Sequence, residues 1–293
     1  MAETTFMFGV GATKAGTSWL YQYMQQHPDC HMPGFKELHY FDAIDNGKLK
    51  RERVRIVTMR KELVAKRKVA GSAQAVRLAM RIKECDQWLA LLRQDVEDVA
   101  GYSEFMTARA GMARLVGDIT PSYALLSEER LTRMAQLAPR VRFVYLLRDP
   151  IDRLWSNVRM MATRTKSEPE AAQAEALRIF DRFVAGQDVG LTGRSDYAGA
   201  LGRMNRALRP EDVFVAFFEE LFSDAVVSRL CAFLGIAFRP GAYDKVEHGG
   251  VPMRLDDGRR SVARRLLAPQ YEQVQELLGE LPARWQTNRM EPK

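Results

Sequence analysis

A glycine-rich segment near the start of the chain combines residue types that can bind an oxyanion. Residues 9–18 read Gly-Val-Gly-Ala-Thr-Lys-Ala-Gly-Thr-Ser, directly after a short apolar run and directly before a helical pattern. In such a turn, backbone N–H groups without intrahelical partners lie at the positive end of the helix dipole. Lys14 adds a charge, and the hydroxyls of Thr17 and Ser18 add donors. A tight turn that merely caps the helix would explain Gly16 and Thr17 but not Lys14, so the segment predicts phosphate binding.

The spacing within this segment fits neither of two common nucleotide-binding fingerprints. A Walker A loop needs lysine directly after its second glycine, but Thr17 follows Gly16 and the lysine comes earlier. The Rossmann fingerprint fails because Gly9-x-Gly11 is followed by Lys14 where its third glycine is required. A kinase or another NTPase that uses this loop stays open as the alternative function.

The segments around this turn follow the pattern of a parallel α/β sheet. Short apolar runs rich in β-formers predict buried strands, and the amphipathic patterns after them predict helices. Three strand–helix pairs are predicted: residues 6–10 with 17–26, residues 141–147 with 152–163, and residues 212–218 with 225–234. Gly235 is expected to end the last helix. Alternating strands and helices imply a parallel sheet covered by helices on both faces, which is a three-layer α/β fold.

A helical segment interrupts this alternation between the first two pairs. Residues 48–99 are predicted to be helical with a hinge near Gly71-Ser72, inside an insertion of about residues 44–115. Ten Lys and Arg residues lie at 48–68, and most are expected on a solvated face. Loops are predicted at 166–169, at 191–194 and after His248, and a last helix is predicted to end near Trp285. Because no convincing linker occurs, we expect one domain over residues 1–293, with the insertion shaping access to the site.

Composition limits the class of protein and of partner. The chain has 293 residues with a net charge of +7 and a pI near 9.4, which favours an anionic ligand. Three widely spaced cysteines and four histidines predict neither a disulfide framework nor a metal centre. No signal-peptide pattern or membrane-spanning apolar stretch is present, so we expect a soluble, reduced, cytoplasmic protein. Nucleic acid is not expected as a partner, because no aromatic residue is interleaved with the basic run at 48–68.

Several further segments occur in a characteristic order along the chain. They are KAGTSWL at 14–20, HPD at 27–29, KELHYF at 36–41, GDITPSY at 117–123, LRDP at 147–150 with Arg153 and Ser156, EEL at 219–221, LCAFLG at 230–235 and a final loop with Gly258-Arg259. As an ordered set they resemble the sulfotransferases that use 3′-phosphoadenosine 5′-phosphosulfate (PAPS). Two of them, 36–41 and 117–123, resemble the E-x-H-F-F and E-K-T-P-x-Y segments of the heparan-sulfate O-/N-sulfotransferase branch. The resemblance covers the chain except for about residues 44–115.

This resemblance implies a P-loop NTPase-like sulfotransferase fold, with PAPS as the sulfuryl donor and no metal. Lys14 would stabilise the leaving phosphate, while backbone amides of residues 15–18 would hold the 5′-phosphosulfate. An arginine fork suits the 3′-phosphate dianion, so Arg148 would bind it together with Ser156. The implied cofactor-binding residues are Lys14, Ala15, Gly16, Thr17, Ser18, Trp19, Arg148, Ser156, Gly258 and Arg259. The acceptor stays open: a hydroxyl, less readily an amine, of a carbohydrate, a lipid or a small molecule.

The resemblance also implies a general base, Glu37, which would deprotonate the acceptor. His39 would lie on the same face if the segment is extended, and would share this role or orient the acceptor. The structural alternatives are a surface pair of Glu37 with Lys36 and a packed histidine. Because cations lower the pKa of a carboxylate, burial or substrate contact must restore the basicity of Glu37. Where the family has Glu-Lys this chain has Asp118-Ile119, so a second pocket lysine is missing, and Asp118 is expected to contact the acceptor, orient His39 or cap a strand end.

Overall fold

The computed structural model describes residues 4–244 and 252–290 and contains a five-stranded parallel sheet with helices on both faces. Its strands are β1 (Thr5–Gly11), β2 (Cys30–His31), β3 (Leu115–Ile119), β4 (Val141–Leu147) and β5 (Val213–Phe217), in the order β2-β3-β1-β4-β5. Three of them, β1, β4 and β5, correspond to the predicted strands, whereas the sequence reasoning did not identify β2 and β3. The prediction of an α/β fold built on a parallel sheet is confirmed.

The helices follow the predicted alternation and add several short elements. They are α1 (Thr17–Gln26), α2 (Tyr40–Asp45), α3 (Leu49–Lys68), α4 (Ser72–Leu92), α5 (Val99–Thr107), α6 (Glu128–Ala135), α7 (Pro150–Thr165), α8 (Pro169–Val184), α9 (Val189–Ser195), α10 (Tyr197–Ala207), α11 (Phe218–Leu221), α12 (Asp224–Leu234), α13 (Asp257–Leu278) and α14 (Ala283–Arg289), with 3₁₀ turns at Pro121–Leu125 and Pro210–Asp212. Gly235 ends α12 in the left-handed conformation, as predicted. Among the described residues, no helix is both long and apolar enough to cross a bilayer.

Apolar side chains project from both faces of the interior strands β1 and β4, so both strands are buried. Every residue of β1 is buried, and in β4 only Arg142 is partly exposed. Phe8 of β1 lies next to Phe143 of β4, with 5.5 Å between the ring centroids. Parallel strands that are covered on both faces carry such continuous apolar runs, which explains why these strands could be predicted.

The predicted helical insertion consists of two long helices that pack against each other. α3 and α4 are separated by residues 69–71, so the predicted hinge near Gly71-Ser72 is confirmed. Part of the basic charge is paired between elements, because Arg60 of α3 contacts Asp86 of α4 and Arg53 contacts Asp95. These partners are 26 and 42 residues apart, a distance at which the sequence gives no sign of pairing.

Two segments predicted as loops are helical because an aspartate caps a helix at each place. The carboxylate of Asp188 accepts a hydrogen bond from a backbone N–H in the first turn of α9, so residues 191–194 are helical. Asp256 does the same for α13, so Gly258-Arg259 lies in the first turn of a helix and not in a loop. The first residues of the loop predicted after His248, 249–251, lie outside the described residues.

Candidate active site

The two predicted anion-binding turns lie side by side at the carboxyl ends of β1 and β4. These strands are adjacent and parallel, with Gly9 opposite Val144. The chain leaves β1 toward the β2 edge and leaves β4 toward the β5 edge, so the turns flank a topological switch point, where open α/β sheets bind ligands. Arg148 Nη1 donates a hydrogen bond to the carbonyl oxygen of Lys14 at 3.2 Å. The structure thus brings Lys14 and Arg148 together, as the sequence predicted.

The loop after β1 leads into α1 through a left-handed glycine. Gly16 has a φ of 89°, which glycine adopts without a Cβ clash, and Thr17 is the first residue of α1. The N–H groups of this first helical turn have no partners within the helix. Ala15 differs, because its N–H donates to the carbonyl of Ala12 at 3.1 Å and closes the turn. Of the predicted anion-binding amides, residues 15–18, that of Ala15 is therefore engaged within the loop.

Lys14 lies in a cluster of positive charges. Burial, followed by the charges of neighbouring cations, lowers the pKa of Lys14 below its ordinary value; these cations are Arg148, Arg159, Arg164 and Lys36. In residues 4–244 and 252–290, no carboxylate forms an ion pair with Lys14 or Arg148. Within the same ranges, no group of three His, Cys, Asp or Glu side chains is placed to hold a metal ion. Two neighbouring cations that have no carboxylate partner in these ranges, Lys14 and Arg148, favour an anionic ligand.

Arg148 is held in place by contacts around the start of α7. Its guanidinium lies over the ring of Phe218, 4.6 Å from the centroid. Its carbonyl oxygen accepts a hydrogen bond from the hydroxyl of Tyr197 at 2.8 Å. Asp149 caps α7 with its carboxylate, and Ser156 lies two turns into that helix, with 7% of its surface exposed. The two residues predicted to bind a 3′-phosphate are thus carried by one rigid strand–turn–helix unit.

The three predicted catalytic residues share a backbone conformation that is rare outside glycine. The φ angles are 72° at Lys14, 64° at Glu37 and 52° at His39, and Asp95 is the fourth non-glycine residue with positive φ in the described part of the chain. Such strained positions persist only where the surroundings enforce them, and they concentrate at functional sites. Residues 37–39 are therefore not extended, so the condition under which Glu37 and His39 were expected to share a face is not met.

The side chains of Glu37 and His39 meet nevertheless. His39 Nε2 lies 3.4 Å from Glu37 Oε2, and His39 Nδ1 lies 2.8 Å from Asp42 Oδ2, to which Ser122 also donates. Burial raises the pKa of Glu37, but the hydrogen bond from His39 and the charge of Lys36 lower it to about 2. Burial lowers the pKa of His39, but its hydrogen bonds to Asp42 and Glu37 raise it to about 9. Without a ligand, Glu37 is thus an ionised and weakly basic carboxylate, as the predicted effect of nearby cations requires.

The raised pKa of His39 makes a contribution to stability that depends on pH. Because this pKa is about 9 in the folded chain against an ordinary 6.5, the contribution is complete below pH 6.5 and is lost as the pH rises through 9. We expect the free energy of unfolding to fall over this window by roughly 2–3 kcal/mol more than in a His39→Gln variant. Urea denaturation at a series of pH values measures it, and parallel pH profiles for the two proteins would contradict it.

Lys36 belongs to the site, although the sequence reasoning considered it only as a surface partner of Glu37. Its Nζ lies 3.0 Å from Thr17 Oγ1, 3.4 Å from Ser18 Oγ and 3.0 Å from Glu37 Oε1. The ammonium group therefore joins the loop after β1 to the predicted base. The sequence contained one sign of this role: Lys36 directly precedes the candidate base, Glu37.

The helical insertion touches the site through Arg55 of α3. Its Nη2 donates to the backbone carbonyl of Glu37 at 2.6 Å, and its Nε donates to Glu52 Oε2 at 2.5 Å. Glu52 is 7% exposed, although it lies in a strongly basic helix. The insertion thus holds the backbone of the candidate base, which no local sequence pattern indicated.

Asp118 lies beneath the site, and the predicted contact with an acceptor is not available to it. Its side chain is 1% exposed and accepts hydrogen bonds from the hydroxyls of Thr120, Tyr123 and Tyr102 at 2.7, 2.8 and 3.1 Å. Burial raises the pKa of Asp118 to about 6, against the effect of these hydrogen bonds. Thr120 Oγ1 also accepts a hydrogen bond from the backbone N–H of His39 at 3.5 Å. The geometry therefore agrees with the other predicted role of Asp118, the orientation of His39.

Two other predicted cofactor residues make contacts within the protein. Trp19 is 5% exposed, and its ring stacks with Tyr23 at a centroid distance of 5.4 Å and with Tyr243 at 6.1 Å. Both terminal nitrogens of Arg259 and its Nε donate to carboxylates, of which Asp181 accepts two hydrogen bonds at 2.9 Å. Both side chains are therefore engaged by other parts of the protein.

Comparisons with known proteins agree with this geometry. A family model described as "Sulfotransferase family" matches residues 7–240. The fold is similar to that of a sulfotransferase from Alicyclobacillus acidocaldarius, with a TM-score of 0.62 and 23% identity over 98% of this chain and 100% of that one. The sulfotransferase domain of the Synechococcus PCC 7002 olefin synthase gives a TM-score of 0.43 and 14% identity over 90% of this chain and 94% of that one. None of the curated proteins matches.

Proposed function

Since this chain belongs to the sulfotransferase family, whose members transfer sulfuryl groups, we propose that its donor is PAPS and its acceptor a hydroxyl group. An amine is the less favoured acceptor. The acceptor molecule is a carbohydrate, a lipid or a small molecule, and the similarity to the heparan-sulfate branch rests on residues 36–41 and 117–123 alone.

The observation that carries the proposal is the contact between the two cationic turns. Lys14 and Arg148 follow adjacent parallel strands, are joined through the Lys14 carbonyl, and have no carboxylate partner in the described ranges. PAPS presents anionic groups at both ends of one adenosine, so two neighbouring anion sites suit it better than they suit ATP, whose phosphates form a single chain. Fixed cations in a partly buried site stabilise such charge without solvent reorganisation.

Each residue has a role that follows from its position. Thr17, Ser18 and the amides of residues 16–18 bind the 5′-phosphosulfate, and Lys14 stabilises the negative charge that develops on the leaving bridging oxygen. Arg148 and Ser156 bind the 3′-phosphate. The acceptor oxygen bonds to sulfur as the bond from sulfur to the bridging oxygen breaks, and the acceptor proton passes to a carboxylate.

Glu37 is the carboxylate that takes this proton, and His39 keeps it oriented. His39 contacts Oε2 of Glu37, and we assign the transferred proton to Oε1, whose partner is the flexible side chain of Lys36. The proposal for Glu37 requires that its pKa rise from about 2 when the donor binds.

Ligand binding separates this proposal from the alternative of a kinase or another NTPase. At 100 times its dissociation constant, adenosine 3′,5′-bisphosphate should stabilise the fold by about 2.7 kcal/mol, and so raise the melting temperature by roughly 5 °C. ATP with Mg²⁺ should give a much smaller shift. Differential scanning fluorimetry measures both, with Arg148→Gln as the variant that should lose the shift. A larger shift with ATP and Mg²⁺ would favour the NTPase instead.

The acceptor can be identified by transfer of an isotope label from the donor. Isotope-labelled PAPS is incubated with the protein and with extracts of its native host, and the labelled product is identified by mass. A labelled product that also forms with Glu37→Gln at an undiminished rate would contradict the role of Glu37.

A further inference from the structure

Lys36 connects the proposed donor loop to the proposed base with a single ammonium group. Its Nζ contacts Thr17 Oγ1 at 3.0 Å and Glu37 Oε1 at 3.0 Å, with Ser18 Oγ at 3.4 Å. The side chain is 19% exposed, so solvent screens this bridge only in part. The two hydroxyls lie in the first turn of α1, where an anion binds most favourably.

Each polar group of Glu37 has its own partner, and the partner of Oε1 is Lys36. His39 faces Oε2, Arg55 holds the backbone carbonyl, and Lys36 alone contacts Oε1 within the described residues. An ammonium at 3.0 Å stabilises the ionised carboxylate and so makes that oxygen a weaker base, although the oxygen keeps a second lone pair. The resting geometry therefore lowers the basicity of the atom that the proposed mechanism needs.

An anion that binds at Thr17 and Ser18 changes this geometry. Lys36 Nζ already lies within 3.0–3.4 Å of the two hydroxyl oxygens. A ligand oxygen that accepts hydrogen bonds from both hydroxyls would therefore lie next to the Lys36 ammonium. The flexible four-carbon stem of lysine lets the ammonium follow the stronger negative charge. Lys36 also supplies a second cation beside the loop after β1, in addition to Lys14.

We propose that Lys36 is a donor-responsive switch on Glu37: the anionic 5′ group of the donor draws the ammonium off Oε1, so that Glu37 becomes a stronger base in the donor complex. This inference rests on the proposed function and deepens it. In the donor complex the acceptor proton passes to Oε1, the acceptor oxygen bonds to sulfur, and the electron pair of the broken sulfur–oxygen bond stays on the bridging oxygen. Lys36 and Lys14 then both neutralise the departing 5′-phosphate.

The test follows the titration of the Glu37 carboxyl group and needs no acceptor. Protein labelled with ¹³C at the glutamate side-chain carboxyl is titrated by NMR, and Glu37→Gln assigns the signal. The ligands are adenosine 3′,5′-bisphosphate and, as the matched control without a 5′ group, adenosine 3′-monophosphate. The variants are Lys36→Met, the charge-conserving Lys36→Arg, and Lys61→Met, which removes an exposed charge from α3.

The switch predicts a specific pattern of pKa changes. In the wild type and in Lys61→Met, the bisphosphate should raise the pKa of Glu37 by about one unit or more, and the monophosphate should raise it less. In Lys36→Met without ligand, the pKa of Glu37 should already be about one unit or more above that of the wild type. The bisphosphate should then raise this pKa by less than it does in the wild type, since the contributions of coupled groups are not additive. Lys36→Arg should retain the response. Circular dichroism confirms that each variant is folded.

The outcomes separate this inference from the proposed function. If calorimetry shows that the bisphosphate binds but the titration of Glu37 is the same with and without it, Lys36 is not a switch while the proposed donor stands. An unchanged Glu37 pKa in folded Lys36→Met would also overturn the switch. If the bisphosphate does not bind to the wild type at all, the proposed donor is wrong and the inference falls with it.

Discussion

Replacement of Lys14 by methionine is expected to reduce sulfuryl transfer about 10²–10³-fold, the cost of removing one preorganised group that stabilises charge in a transition state. Methionine keeps much of the length and apolar surface of the lysine side chain but removes the charge. Because Lys14 lies in the proposed 5′-phosphate site, the variant should also bind adenosine 3′,5′-bisphosphate less tightly. The rate is measured with labelled PAPS and the acceptor found in extracts, and the affinity by calorimetry.

The control for this prediction is Lys61→Met, which removes a charge from the exposed surface of α3. It should leave both the rate and the affinity within about twofold of the wild type, since exposed charges at a distance are screened by salt. If Lys14→Met transfers sulfate as fast as this control, the proposed role of Lys14 at the leaving oxygen is wrong.

Replacement of Glu37 by glutamine is expected to reduce the rate about 10²–10⁴-fold, the range for loss of a general base. Glutamine has the same shape but cannot take a proton at neutral pH. Affinity for the bisphosphate should change little or increase, because Lys36 loses the carboxylate that competes with the ligand for its ammonium. The same two assays measure both quantities.

A charge-conserving comparison shows whether the position of the carboxylate matters. Glu37→Asp keeps the charge but withdraws it by one methylene group. This variant should lose most of the rate, and its contacts with Lys36 and His39 should be weaker. Turnover close to that of the wild type in Glu37→Gln would exclude Glu37 as the base and turn attention to His39.

The elements that carry the site could be predicted where apolar runs and local spacing determine them. The bounds of α1 and β4 agree with the sequence analysis, and the turns after β1 and β4 were placed correctly because parallel strands end at one edge of a sheet. The adjacency of Lys14 and Arg148 also requires that β1 and β4 be neighbours in the sheet, which the structure shows. Local periodicity thus provided the framework and the position of both cationic turns.

Contacts between distant segments could not be predicted in the same way. Lys36 reaches Thr17 across 19 residues and Arg55 reaches Glu37 across 18, and nothing in either local pattern fixes those side-chain directions. The left-handed conformation of Glu37 is imposed by its surroundings, whereas its residue type disfavours it. Trp19 was assigned to the cofactor from its motif, but the stacking with Tyr243 depends on a chain segment more than 200 residues away.

The hydrogen bond from Arg55 to the Glu37 carbonyl ties the insertion to the proposed base. Any exchange of the long helical pair would remove the group that fixes the backbone of the proposed base. A chain with a different insertion would therefore need another donor at that carbonyl.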